Sequence, residues 1–302
     1  MSIQLAFDQI KKNKICVQTD LLLKNHSSFR IGGNCALAVF PKSVDELKTA
    51  VSILNDLGVR NKVIGRASNI VFADGGYDGG LIFTEKMKNI TFDAENSIYA
   101  EAGASMKSAA NFAASNGLSG LEFAHGIPGS CGGGVFMNAG AYGGEMSKIL
   151  VFSDCYNVKT GEIVRLFADE HKFSYRYSVF SENRDLIIVG SCFALTPAPV
   201  DSIKELMRSN MKKRKEKQPL EYPNGGSAFK RPPNAFAAQM IDECGLKGRG
   251  VGGAEVSQKH AGFIVNKGGA TAKDVSELMD IVVAEVYEKY GVRLESELEF
   301  VE

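Results

Sequence analysis

The chain has 302 residues, 44% hydrophobic and 23% charged, with 35 basic side chains set against 35 acidic ones. That length predicts two or three domains, and the cancelled charge leaves no global field to recruit nucleic acid or a membrane surface. Six cysteines, at 16, 35, 131, 155, 192 and 244, form no CxxC pair. The first thirty residues hold neither a signal-type apolar run nor a membrane span, so a reduced, cytoplasmic protein is expected. The sequons at Asn25 and Asn89 then carry no meaning.

In chain order, residues 36–40 read as a strand, followed by Ser43-Val44-Asp45-Glu46, a capping box that opens an amphipathic helix. Its apolar positions Val44, Leu47, Val51 and Leu54 keep helical spacing and stop at Gly58. Strands at 62–64, 69–72 and 81–83 complete a first part over residues 1–88. The second part, 89–197, carries a strand at 97–102, a helix at 105–117, a glycine-rich loop, and strands at 150–158, 162–166 and 186–195. The third, 198–302, has helices at about 200–217, 234–245 and 271–290, and a terminal strand at 292–300. In that strand the acids should share one face and Leu294, Ser296, Leu298 and Phe300 the other.

Several motifs carry little. Gly248-Arg-Gly250-Val-Gly-Gly253 matches GxGxxG but follows a helix and opens none. There is no GxxxxGK[ST] and no GxSxG. The four histidines, at 26, 125, 171 and 260, lack metal-ligand spacing, so no metal site is expected. Lys212–Lys217 reads as the solvated, cation-rich end of a helix.

His125 to Met146 is the most informative stretch, with eight glycines in 22 residues. Glycines without Cβ let backbone N–H groups approach an anion, and the absence of serine-rich or charged composition argues against a linker. A diphosphate cradle is expected, as part of a dinucleotide site; a structural crossover between packed strands is the alternative. Three further segments stand out. Ser174–Phe180 sets Arg176 among aromatics and reads, taken alone, as a surface strand with a cation–π contact. Gly225–Pro232 places Ser227 after two glycines. Glu297 lies in the terminal alternation and, alone, reads as a solvated strand residue.

Together the segments change that reading. NHSSFRIGG (25–33), GRASNIVFADGGYDG (65–79), GIPGSCGGGVFMNAGAYGGEM (126–146), YRYSVF (175–180), GGSAFKRPP (225–233), AEVSQKHAGFIVN (254–266) and GVRLESELEF (291–300) occur in one order. The chain thereby resembles the bacterial UDP-N-acetylenolpyruvoylglucosamine reductases (UDP-N-acetylmuramate dehydrogenases) from about Asn25 to its end. Only five residues separate Phe180 from Leu186, which resembles the shorter subclass lacking a tyrosine-bearing substrate loop.

The resemblance implies an α+β fold: a vanillyl-alcohol-oxidase-type FAD-binding region in two parts, then a C-terminal α+β substrate domain. It implies a monomer in which NADPH reduces FAD and the enolpyruvyl group of UDP-N-acetylglucosamine enolpyruvate is then reduced to a lactyl ether for peptidoglycan synthesis. By similarity Arg176 grips the substrate carboxylate, Ser227 donates the proton and Glu297 works with the arginine. FAD would meet Gly65, Arg66, Ala67, Ser68, Asn69, Pro128, Gly129, Ser130, Gly132, Gly133, Asn138 and Gly140. Tyr175, Lys230 and His260 would meet substrate, with Lys230 a candidate to poise Ser227.

Two positions depart from the family pattern. Ala67 replaces a glycine of G-x-G-S-N, which puts a positive φ there in doubt, and Cys131 lies inside the glycine loop, where a small buried thiol is expected. Another flavoprotein of the same fold would not need Arg176, Ser227 and Glu297 together. A flavin-free nucleotide-sugar binding protein would keep the fold and lose the cofactor.

Overall fold

The computed structural model describes residues 2–302. The chain divides into two compact units: 1–19, 37–66 and 79–213 form one, and 20–36, 67–78 and 214–302 the other.

The first unit opens with α1 (Ser2–Lys12), an element the sequence reading did not include; it buries Ala6 and Ile10. In α2 (Val44–Asp56) the Ser43 hydroxyl accepts from the Glu46 N–H at 3.2 Å, as an N-cap should. The expected reciprocal arm differs, because the Glu46 carboxylate takes the N–H of Lys42 at 2.8 Å rather than that of Ser43. Leu47, Ala50, Val51 and Leu54 bury one face of α2 together with Ala6, Ile10, Leu37, Val39 and Ile82, each full aliphatic burial contributing about 1.5–3 kcal/mol. The sheet beneath is ordered Cys16–Leu22, Asn34–Phe40, Tyr77–Phe83, Asn61–Ile64.

A second sheet in this unit is antiparallel, in the order Ile163–Phe167, Leu150–Asn157, Leu186–Ala194, Ser97–Glu101, Ile90–Ala94. Its inner face packs with α3 (Met106–Ser115), whose buried side is nearly all alanine, and with α4 (Cys131–Phe136). Small side chains let these helices lie close to the strands. A buried polar chain crosses the same sheet: His171 Nδ1 bonds the Phe167 carbonyl at 2.8 Å, Nε2 bonds Ser153 Oγ at 2.9 Å, and Ser153 pairs with Ser191 at 2.9 Å. α5 (Val200–Lys217) buries only Ile203, Met207 and Asn210, which leaves its Lys212–Lys217 end to solvent as expected.

The second unit holds a sheet ordered Asn224–Ser227, Phe263–Asn266, Ala254–Val256, Gly250–Val251, with α6 (Ala237–Glu243) and α7 (Ala272–Tyr290) packed on it. The GxGxxG match is the turn of its last hairpin, where Gly250 and Val251 pair with Glu255 and Ala254. α7 has a full capping box, Thr271 and Asp274 each bonding the other's N–H at 3.0 Å, and ends at Gly291 with φ 66°. Asp74 adds a second cap, accepting from Ala272 N at 2.7 Å and Lys273 N at 3.1 Å.

The terminal strand is shorter than its alternation suggests. Only Glu299–Val301 is strand, paired in parallel with Ile70–Phe72. Leu294 and Leu298 are buried, but Ser296, expected on their face, is exposed. Residues 295–297 are instead bonded to residues 228–230, which draws them out of the ladder.

Candidate active site

In the first unit the glycine run is not an open loop. Ser130 caps α4, its hydroxyl accepting from Gly133 N at 3.2 Å, and Cys131–Phe136 coil behind it. The N–H groups of Cys131, Gly132 and Gly134 donate to the carbonyls of Ala104, Ala102 and Ser130 at 2.8, 2.9 and 2.8 Å. Four donors of the run are thus spent inside the protein, not presented to an anion. Gly132 and Gly134 are there for packing: a Cβ on Gly132 would stand 2.8 Å from that of Ala102, and one on Gly134 2.7 Å from Met146 Cε. Gly133 differs. It is exposed, and beyond its own helix only Ser130 Oγ, at 3.2 Å, lies near its missing Cβ. Gly65 approaches the same hydroxyl so closely that a Cβ there would overlap Ser130 Oγ. Gly65 thus makes room for buried Ser130, whereas Gly133 leaves its turn of α4 bare at the surface; Arg66 and Pro128 are exposed and Gly129 buried in the same segments. Cys131 is buried, and desolvation pushes its thiol up to about 12, so it is an inert packing group.

Arg176 belongs to this unit too. The segment 174–180 is not a strand: 174–177 is a tight turn in which Ser174 and Tyr177 form an isolated bridge and Arg176 has φ 54°, and a 3-10 turn, Val179–Ser181, follows. Its guanidinium donates to the carbonyls of Asn138 at 3.4 Å and Gly140 at 3.2 Å and stands 5.0 Å from the ring of exposed Tyr175. Asn138, also left-handed at φ 46°, donates its amide to the Ser174 carbonyl at 3.0 Å and accepts from Ser147 N at 3.0 Å. Buried Ser178 Oγ donates to the Phe136 carbonyl. Residues 136–140 and 174–178 are thereby stitched together.

The second unit gathers Ser227, Glu297 and Asn69. Ser227 ends the edge strand opposite Phe263, after Gly226 at φ 87°. One residue on, the Ala228 carbonyl accepts from Glu297 N at 2.9 Å. The Asn69 side-chain amide donates to the Glu297 carbonyl at 2.7 Å, and its own carbonyl accepts from Glu299 N at 3.0 Å. Ala67 takes φ 46° although it is not glycine, so the doubt raised by the substitution is removed; its carbonyl accepts from Ser28 N at 3.3 Å. Ser68 is half-buried beside it. Lys230 reaches Glu295 at 3.4 Å, an exposed pair. His260 Nδ1 accepts from Gly262 N at 3.1 Å, and burial holds its pKa below the ordinary histidine value, helped by nearby Lys247 and Lys217.

The chain is similar to known proteins. Residues 218–301 match the model of the UDP-N-acetylenolpyruvoylglucosamine reductase C-terminal domain, and residues 35–166 that of an FAD binding domain. The chain is 41% identical over 285 residues to the reductase of that name from Clostridium novyi, covering 94% of this chain and 92% of the relative. It is 44% identical over 296 residues to the one from Syntrophomonas wolfei, covering 98% and 97%. This chain belongs to the UDP-N-acetylenolpyruvoylglucosamine reductase family. It is an FAD-dependent oxidoreductase. The crystal structure of the Thermus caldophilus reductase superposes with TM-score 0.81 at 32% identity, over 95% of this chain and 100% of that one. A xylooligosaccharide oxidase from Myceliophthora thermophila, 17% identical, shares the fold at TM-score 0.51 over 64% of this chain and 43% of its own. The fold is therefore α+β with a vanillyl-alcohol-oxidase-type FAD-binding region.

The reductase family's cofactor fits what this chain presents in one respect above all. Exposed Gly133 leaves the first turn of α4, next to Ser130, bare of a side chain. A flat, anionic group needs such a side-chain-free face for close approach. Sequence reasoning did not single out Ser178, Asp74 or the buried His171; the signal for Ser178 was a lone hydroxyl between apolar residues in YSVF. No helix among the described residues is long and apolar enough to cross a membrane.

Proposed function

We propose that the chain reduces the enolpyruvyl group of UDP-N-acetylglucosamine enolpyruvate to the lactyl ether, with NADPH as hydride donor, giving UDP-N-acetylmuramate for peptidoglycan synthesis. FAD, when bound, supplies a two-electron carrier that takes hydride from NADPH and passes it to C3 of the enolpyruvyl group. The balance requires one proton at C2, and the half-buried hydroxyl of Ser227 supplies it. Arg176 grips the substrate carboxylate through its fork, and Glu297 works with it on the charge that develops there. Tyr175, Lys230 and His260 contact substrate. Gly65, Arg66, Ala67, Ser68, Pro128, Gly129, Ser130, Gly133, Asn138 and Gly140 line the cofactor, while Gly132 packs against Ala102. In this reading 1–88 and 89–197 serve FAD, 198–302 serves the substrate, and the enzyme works as a cytoplasmic monomer.

The observation that carries the reading is the bond between Glu297 N and Ala228 O, 2.9 Å. It joins the segment that carries Glu297 to the segment that carries Ser227, although they lie far apart in the chain. Reduction of an enol ether needs both a proton donor and stabilisation of the charge that develops on the substrate carboxylate, and a sugar oxidase of the same fold does not. The test is anaerobic oxidation of NADPH by the purified protein. Oxidation that depends on the enolpyruvyl sugar nucleotide supports the proposal; flavin reduction without substrate-dependent turnover favours another flavoenzyme. A purified protein without flavin bands favours a binding protein.

A further inference from the structure

We infer that Asn69 is a positioning residue, acting through Glu297 rather than on the cofactor; the inference rests on the role proposed above for Glu297. Parallel pairing between residues 70–72 and 299–301 begins at Ile70 and Glu299. N-terminal to that rung the chain turns away, because Ala67 is left-handed at φ 46°. A regular ladder therefore stops before Glu297. The Asn69 side chain extends it, its amide donating to the Glu297 carbonyl at 2.7 Å while its main-chain carbonyl accepts from Glu299 N at 3.0 Å.

The other flank of the same segment is held independently. Glu297 N donates to Ala228 O and Lys230 N donates to Glu295 O, both at 2.9 Å, with Phe229 bridged to Ser296 between them. Both peptide groups of Glu297 are thus fixed, one by the strand that carries Ser227 and one by Asn69. Fixing them sets the direction in which the carboxylate leaves the backbone. Only a short side chain with an N–H donor does this at position 69: alanine removes the donor, and aspartate sets an oxygen against the carbonyl. One amide of the G-R-A-S-N loop is therefore spent on orienting the acid.

The test uses the full-length FAD-loaded enzyme and the variants N69A, N69D, E297Q and N69A/E297Q. Flavin content and flavin reduction by NADPH should be unchanged in all four. Reoxidation by the enolpyruvyl sugar nucleotide should slow roughly 10- to 100-fold in N69A and in N69D, the scale expected when a reacting group is misplaced by about an ångström. The pH profile of that half-reaction should move with it. The double variant should be no slower than E297Q, because the two residues act as one unit. Loss of flavin in N69A but not in E297Q would make Asn69 a cofactor contact and overturn the inference, as would effects that multiply in the double variant. Failure of both N69A and N69D to fold would reduce Asn69 to a structural group. Wild-type reoxidation in E297Q would instead remove the role of Glu297 itself.

Discussion

The guanidinium of Arg176 donates to the main-chain carbonyl of Asn138 at 3.4 Å, and both residues hold the left-handed backbone that side chains disfavour, at φ 54° and 46°. Such a conformation costs about 1–3 kcal/mol per residue and persists where its surroundings over-determine it. Here the Asn138 amide, held by Ser174 and Ser147, supplies that constraint. Arg176→Lys keeps the charge but cannot bond Asn138 and Gly140 together while gripping a carboxylate. We expect it to retain FAD and lose at least about 10²-fold in kcat/KM, the range for a lost oriented charge. Wild-type steady-state kinetics in that variant would count against the role of the fork.

Ser227→Ala separates binding from chemistry. Flavin content and the rate of NADPH-dependent flavin bleaching should stay at wild-type values, while substrate-dependent reoxidation falls ~10²–10⁴-fold, the span for a positioned proton donor. Equal loss of both half-reactions in stopped-flow traces would assign Ser227 to structure or to the nicotinamide site.

Neighbouring glycines should fail differently. Gly133→Val places its side chain on the open face by Ser130, so the purified protein should keep its melting temperature and lose its flavin bands. Gly132→Val drives a Cβ to 2.8 Å from that of Ala102, with overpacking costs of typically 1–3 kcal/mol, and should melt lower. Flavin retained by Gly133→Val would remove that face from the cofactor site.

Stability should decline on the acid side because of His171. Burial, its largest influence, lowers its pKa below the ordinary 6.5, with the Phe167 carbonyl and then Glu170 and Asp169 partly opposing. The unfolded chain thus binds this proton more readily than the folded one. The contribution is complete above about pH 6.5 and is lost as pH falls through that value toward the lower folded one. The melting temperature of wild type should therefore drop between pH 7.5 and 5.5, and less steeply in His171→Gln; parallel slopes would show that His171 does not govern it. His125 and His260, also lowered, add in the same direction and set the residual slope.

Local order was readable from the amino-acid sequence wherever short-range physics decides it. α7 runs from its Thr271 cap to Gly291 because caps, apolar spacing and a terminal glycine all act within a few residues. The ordered set of motifs likewise pointed to the family, since each motif is local. Tertiary structure decided what lies between segments. Residues 292–300 alternate like a strand, yet bonds to 228–230 hold 295–297 out of the ladder. The glycine run looked like a set of free donors, but four of its N–H groups had partners from Ala102, Ala104 and Ser130. Ala67 keeps a glycine's φ because the chain around it, including its bond to Ser28, imposes that turn. The Asn69–Glu297 bond spans 228 positions, and no periodicity or local propensity reports on a partner so distant. Pairings of this kind exist only once burial has paid the entropy of bringing distant segments together.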